Sequence, residues 1–235
     1  MAVLNRDDPE AWLVADGLSA RVISFGRAPV VGGAFAGEGF VALRLPDAPE
    51  ERYGLTRTRL VGAHNIENLL AAVTVARLAG ATPDAVQGAI DTCEPLPHRL
   101  ARVAERRGVA WYDDSKATNV GAAARSLDSF PGPVVLLAGG VDKGGGYELL
   151  VRHAVGKVRV AIVFGAARDS IAAALGAAGI AVDAAATLEQ AVHAAAAMAV
   201  AGDTVLLAPA CASFDMFADY AAWGRAFRAA VEALA

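Results

Sequence analysis

Cysteine is scarce in this chain: Cys93 and Cys211 are the two it has in 235 residues. They are too few and too isolated for a disulfide framework or a zinc site, and both read most simply as small buried hydrophobes. Long apolar runs are missing as well. Each stretch is broken by Gly, Asp or Arg before the roughly 20 residues a bilayer-spanning helix needs, and the Ala-rich run 184–201 carries Glu189, Gln190 and His193. Met1 leads into Ala2-Val3-Leu4 and then Asn5-Arg6-Asp7-Asp8, without a basic leader and apolar core, so the expectation is a cytoplasmic protein with no membrane insertion. No excess of one charge sign exists. Lys and Arg number 21 against 25 Asp and Glu, a net charge of -4, which offers no general attraction to nucleic acid and points to small-molecule partners. The Gly-x-x-x-x-Gly-Lys-[Ser/Thr] loop, the dinucleotide fingerprint and the Gly-x-Ser-x-Gly elbow are all absent. Their absence argues against a nicotinamide-dependent oxidoreductase and against a serine nucleophile.

What is present describes a well-packed protein. A hydrophobic fraction of 55% with 20% charged residues excludes the disordered class. From about Ala110 onward, short apolar runs alternate with Ala-rich helical segments, the rhythm of a parallel α/β sheet. Strands are expected at Val109–Tyr112, Val134–Ala138, Val158–Phe164, Ile180–Asp183 and Thr204–Ala208, with Ile180–Asp183 the weakest pattern. The run Val134-Val135-Leu136-Leu137-Ala138 suits a strand covered by helices on both faces, so a Rossmann-like doubly wound sheet is predicted. The first part reads differently. Strands at Val22–Ser24, Phe40–Leu45 and Tyr53–Leu60, a turn at Asn5–Asp8 after an edge strand, and helices at His64–Leu78 and Pro83–Thr92 suggest an incomplete α/β domain. Pro95 and Pro97 follow the last of these helices, which puts the expected boundary between residues 1–95 and 96–235.

Chemistry is expected where polar residues leave the carboxyl ends of strands. Trp111-Tyr112-Asp113-Asp114-Ser115-Lys116-Ala117-Thr118-Asn119 is the most informative run. Asp114 can accept ribose hydroxyls, Lys116 can face phosphate and Thr118 can bond a carboxylate; equally, Asp114 or Thr118 can be a helix cap and Lys116 a solvated side chain. Ala138-Gly139-Gly140-Val141-Asp142-Lys143-Gly144-Gly145-Gly146 follows the next strand, with glycines that allow close backbone approach and Lys143 either facing a carboxylate or lying exposed on a loop. Pro209-Ala210-Cys211-Ala212-Ser213-Phe214-Asp215 follows the last strand, with Ser213 a carboxylate-binding hydroxyl or an N-cap. Asn65 and Asn68 share a face at a helix start, where amides can read adenine or ribose or cap the helix. His98-Arg99 follows the proline hinge, where an arginine can clamp phosphate or serve structure alone.

Taken in order and spacing, His64-Asn65-Ile66-Glu67-Asn68, Leu96-Pro97-His98-Arg99, Asp113-Asp114-Ser115-Lys116-Ala117-Thr118-Asn119 and Ala210-Cys211-Ala212-Ser213-Phe214-Asp215 resemble the Mur ligase family along the whole chain, most closely its D-glutamate-adding type. The resemblance implies a three-domain enzyme, of which residues 1–95 correspond to the end of the central ATPase domain and 96–235 to the domain that brings in the amino acid. It implies ATP and Mg2+ as cofactors, D-glutamate and UDP-N-acetylmuramoyl-L-alanine as substrates, and an acyl-phosphate intermediate. Carried over by position, Asn65, Asn68, Arg99, Asp114 and Lys116 contact ATP, while Thr118, Lys143, Ser213, Phe214 and Tyr220 hold D-glutamate. His98, Arg99 and Lys116 are the catalytic candidates. Two departures stand out. The family's phosphate loop, UDP-binding domain and metal ligands are expected upstream of Met1, so the isolated chain is expected to be inactive or to act as a binding module without turnover. Tyr220 stands where some members have phenylalanine.

Overall fold

The computed structural model describes residues 1–46, 48–60, 62–144 and 146–234. Gly145 of the glycine loop and Ala235 lie outside the described residues. The chain divides into two compact units, Met1–Glu94 and Pro95–Ala235.

The first unit contains β1 (Ala2–Asn5), α1 (Pro9–Leu13), β2 (Val22–Gly26), β3 (Gly33–Gly37), β4 (Phe40–Arg44), β5 (Glu51–Gly54), α2 (Ala63–Leu78) and α3 (Pro83–Thr92). Its strands lie side by side in chain order, parallel from β1 to β3 and antiparallel from β3 to β5. Phe25, Val41, Leu43 and Tyr53 on the sheet pack against Leu70 and Val73 of α2 and Val86 and Ile90 of α3. A bidentate pair reinforces the contact between α2 and β5. Arg77 donates to both Glu51 oxygens at 2.7 and 2.6 Å, and Tyr53 adds its hydroxyl to the same carboxylate. These bonds, Arg77 first, hold the Glu51 carboxyl below its ordinary range.

Two expectations for this unit are corrected. The strand expected over Tyr53–Leu60 ends at Gly54, because its partner strand β4 begins at Phe40, with Leu55 N still reaching Gly39 O at 2.9 Å in the same register, and the following Arg57-Thr58-Arg59 has no apolar face to bury. Cys93 is exposed, because it forms the C-cap of α3 beyond the last buried position, Ile90; Cys211 is buried as expected. β3, with the sequence Gly-Ala-Phe-Ala-Gly, carries too few β-branched residues to announce itself.

The second unit contains β6 (Ala101–Arg106), β7 (Val109–Asp113), α4 (Val120–Asp128), β8 (Val134–Gly139), α5 (Glu148–Ala154), β9 (Val158–Phe164), α6 (Arg168–Ala177), β10 (Ala181–Ala184), α7 (Leu188–Met198), β11 (Thr204–Ala210) and α8 (Tyr220–Glu232). The six-stranded sheet runs β10-β9-β8-β11-β7-β6, parallel except for β6, which pairs antiparallel with β7. Its central strands are buried on both faces. Leu136, Ala138, Leu206 and Ala208 join Leu127, Leu150, Ile171 and Leu175 from α4, α5 and α6. Val135, Leu137, Val205 and Leu207 join Leu188, Val192, Trp223 and Phe227 from α7 and α8 on the opposite face. This is the doubly wound arrangement. β10, the weakest strand pattern, is an edge strand hydrogen-bonded to β9. Among the described residues no helix is long and apolar enough to cross a membrane.

Strand order locates the binding rim. β7, β8 and β9 are followed by helices on one face and β11 by α8 on the other, while β11 itself lies between β8 and β7. Loops leaving the carboxyl ends of neighbouring strands toward opposite faces open a crevice between them, and here such a crevice flanks β11 on each side.

Candidate functional site

The loops after β7, β8 and β11 are joined to one another by backbone hydrogen bonds. Ala210 N donates to Ala117 O at 2.9 Å, and Val141 and Ala212 exchange bonds of 2.8 and 3.0 Å. These bonds bring the loops carrying Lys116 and Thr118, Lys143, and Ser213 and Phe214 onto one rim. The backbone there is demanding: Ala210 has φ 63 and Gly140 φ 115, and a Cβ on Gly140 would overlap Ala212 O. Gly140 therefore serves the approach of one loop to another.

β7 delivers two adjacent carboxylates to opposite surroundings. Asp113 continues the buried series Val109, Trp111 and is itself buried, its Oδ1 accepting from Ser115 N at 2.9 Å and its Oδ2 lying 2.7 Å from His98 Nδ1. Asp114 turns to the other side, where Leu100 N reaches Oδ1 at 3.2 Å and the Ser126 hydroxyl bonds Oδ2. The segment before β6 is folded back to make these contacts, with His98 at φ 67 and Leu100 at φ 45. Burial pushes the Asp114 carboxyl up to about 6, against the Ser126 and Leu100 hydrogen bonds that favour its charged form.

Asp114 and Thr118 do not cap α4. Asn119 does, accepting from Ala122 N at 2.8 Å. Ser213 likewise does not cap α8; Asp219 takes that position, and Ser213 is 3% exposed with its carbonyl accepting from Met216 and Phe217 N. Phe214 is 76% exposed on the rim. Lys143 and Arg99 are exposed, and Lys116 extends its ammonium over the Tyr220 ring at 4.0 Å from the centroid. Tyr220 in turn meets His98 edge-on at 6.1 Å. Cys211 is buried beneath the rim, 3.4 Å from the Tyr147 hydroxyl, and burial raises its thiol, which removes it as a nucleophile. Asn65 and Asn68 lie in the first two turns of α2 in the other unit, Asn68 Nδ2 donating to Asn65 Oδ1 at 3.4 Å; the N-cap there is Gly62.

Sequence reasoning missed Asp113, the partner of His98, and Gly224, which lies beneath both. The period-2 run of buried positions in β7 is the signal that marks Asp113 as inward-facing. Gly224 gives no such signal. A Cβ there would overlap His98 Nδ1, Asp113 Oδ2 and Ser115 Oγ. Gly to Ala inside a helix normally gains about 1 kcal/mol; Gly224→Ala is expected instead to lose about 1 to 3 kcal/mol and to break the His98–Asp113 bond. Urea midpoints and the ring 15N signals of His98 provide the measurement. A midpoint equal to or above that of the parent chain would contradict this account of the packing.

Residues 98–211 match the family model described as Mur ligase, glutamate ligase domain. The chain is 40% identical over 237 residues to the UDP-N-acetylmuramoylalanine--D-glutamate ligase of Syntrophus aciditrophicus, covering 100% of this chain and 52% of that protein. It is 43% identical over 235 residues to the protein of the same name from Geotalea daltonii, covering 100% and 51%. The chain thus spans about half the length of the curated relatives it matches. Among solved structures, MurF ligase from Thermotoga maritima in complex with ADP aligns with TM-score 0.63 at 19% identity over 98% of this chain and 53% of that one. The UDP-N-acetylmuramoylalanyl-D-glutamyl-2,6-diaminopimelate--D-alanyl-D-alanyl ligase of Acinetobacter baumannii aligns with TM-score 0.65 at 16% identity over 98% and 50%. These two likenesses concern the fold alone.

Proposed function

The chain belongs to the Mur ligase family, and from that premise we propose that it forms the C-terminal part of an ATP-dependent ligase adding D-glutamate to UDP-N-acetylmuramoyl-L-alanine in peptidoglycan precursor synthesis. In this reading Met1–Glu94 is the end of the central ATPase domain and Pro95–Ala235 the amino-acid-binding domain. The observation that carries it is the convergence of three strand-end loops at the crevices beside β11, joined through Ala117–Ala210 and Val141–Ala212.

The γ-phosphoryl group of ATP passes to the alanyl carboxylate, giving ADP and an acyl phosphate. The D-glutamate amine then attacks the acyl carbon, and the tetrahedral intermediate collapses as the bond to phosphate breaks and the amine gives up a proton. Asp114 accepts ribose hydroxyls, and Asn65 and Asn68 offer amides to the nucleoside. Arg99 and Lys116 offset charge on the phosphates, with His98 held against Asp113 beside them. Lys143 balances a D-glutamate carboxylate, Thr118 and Ser213 add directional bonds, and Phe214 and Tyr220 flank the substrate. Among the described residues no group of three His, Cys, Asp or Glu side chains could hold a metal ion, and no step is assigned to Mg2+.

Amide NMR of the 235-residue chain tests this reading. D-glutamate is expected to shift Thr118, Lys143 and Ser213 saturably where L-glutamate does not, ADP to shift Asp114 and Lys116, and the chain alone to release no phosphate from ATP. Equal responses to the two glutamate enantiomers would remove the amino-acid assignment, and phosphate release would remove the requirement for a separate phosphate loop.

A further inference from the structure

At the pole of the sheet opposite the rim, β6 turns into β7 through Arg107 and Gly108, with φ 52 and 75. A cavity of about 320 Å3 opens beside this hairpin, within the second unit. Arg106 and Trp111 line it from the sheet, His193 and Ala196 from α7, and Leu234 follows α8. Among the described residues, none that lines it carries a carboxylate. Two donors among them lack partners among the described residues. Trp111 is 1% exposed and its Nε1 is buried without a hydrogen bond. Arg106 gives Nη2 to Glu232 O at 3.2 Å, yet its Nε is also buried and unbonded. Buried N–H groups are nearly always satisfied, because leaving one unpaired forfeits its hydration. Two in one cavity, one of them on a cation, call for an acceptor that carries negative charge. Arg107 also lines the cavity, and the walls apart from the two arginines, Trp111 and His193 are alanine, valine and leucine, which suit a hydrocarbon body.

We propose that this cavity binds a small monocarboxylate with an apolar, aromatic-sized body, its carboxylate facing Arg106 Nε and Trp111 Nε1 and its ring lying against Ala196 and Leu234. The volume sits at the small end of ligand pockets, which suits one ring and excludes a nucleotide. The site is separate from the rim, since Trp111 and Arg106 face the amino end of β7 and the rim residues follow its carboxyl end.

Benzoate is the probe, titrated into the 235-residue chain while the Trp111 indole N–H is followed, that signal being assigned by its loss in Trp111→Phe. A saturable shift with Kd about 1 mM is expected, with the Trp12 and Trp223 indoles unmoved. Arg106→Gln and Trp111→Phe, the latter read from Ala196 and Leu234 methyl signals, should each weaken benzoate about tenfold. Benzyl alcohol should bind about tenfold more weakly than benzoate to the parent chain. No saturable shift overturns the proposal. So does equal binding of benzyl alcohol, which would make the cavity an apolar hole, or unchanged benzoate affinity in both variants. D-glutamate binding at the rim is scored separately at Thr118 and Ser213, so failure at either site leaves the other to be judged by itself.

Discussion

Replacing Asp114 by asparagine should stabilise the second unit at pH 7.5 by up to about 3 kcal/mol and leave it nearly unchanged below pH 4. The carboxyl binds its proton more tightly in the folded protein, where its pKa is about 6, than in the unfolded chain, where 3.8 applies. Below 3.8 both states are protonated and the group is neutral in the balance. Between 3.8 and 6 the unfolded chain loses the proton first, so stability falls as pH rises, and above 6 the full penalty remains. Asparagine does not ionise and so escapes it. Urea midpoints at pH 4 and pH 7.5, followed at the Trp111 and Trp223 indoles, measure the difference. Destabilisation at both values would mean that the Ser126 and Leu100 bonds outweigh burial. A site that holds a carboxylate against its own stability is reasonable where that carboxylate is needed as a hydrogen-bond acceptor for ligand.

Lys143→Ala, placed in a complete ligase carrying this sequence, should raise KM for D-glutamate about tenfold to a hundredfold while changing KM for ATP little, since a bond to a charged group contributes about 1.5 to 3 kcal/mol. Lys143 is exposed on the loop after β8, and the Val141–Ala212 bonds join that loop to the one carrying Ser213. Lys143→Arg should recover part of the loss, because the guanidinium keeps the charge and needs more room. Unchanged D-glutamate kinetics in Lys143→Ala would leave the lysine a solvated loop residue and move the carboxylate contact elsewhere on the rim.

The same distinction between local pattern and distant contact separates what was legible in this chain from what was not. Apolar runs such as Val134-Val135-Leu136-Leu137-Ala138 and Val158–Phe164 determine buried parallel strands by themselves, since a residue type that repels water on both faces has few other solutions. Thr82-Pro83 opens α3 and polar residues follow the strand ends for equally local reasons. The motifs Asp114-Ser115-Lys116-Ala117-Thr118 and Ala212-Ser213-Phe214 were therefore visible as candidates. Tertiary structure alone decided that β11 lies between β8 and β7, which makes residues almost a hundred positions apart into neighbours at one rim. It also decided that Gly224 lies beneath His98 and Asp113, and that Arg106 shares a cavity with Trp111 at the far pole. Such facts depend on which elements pack together, and a period of 2 or 3.6 residues carries the orientation of one element and nothing about its neighbour.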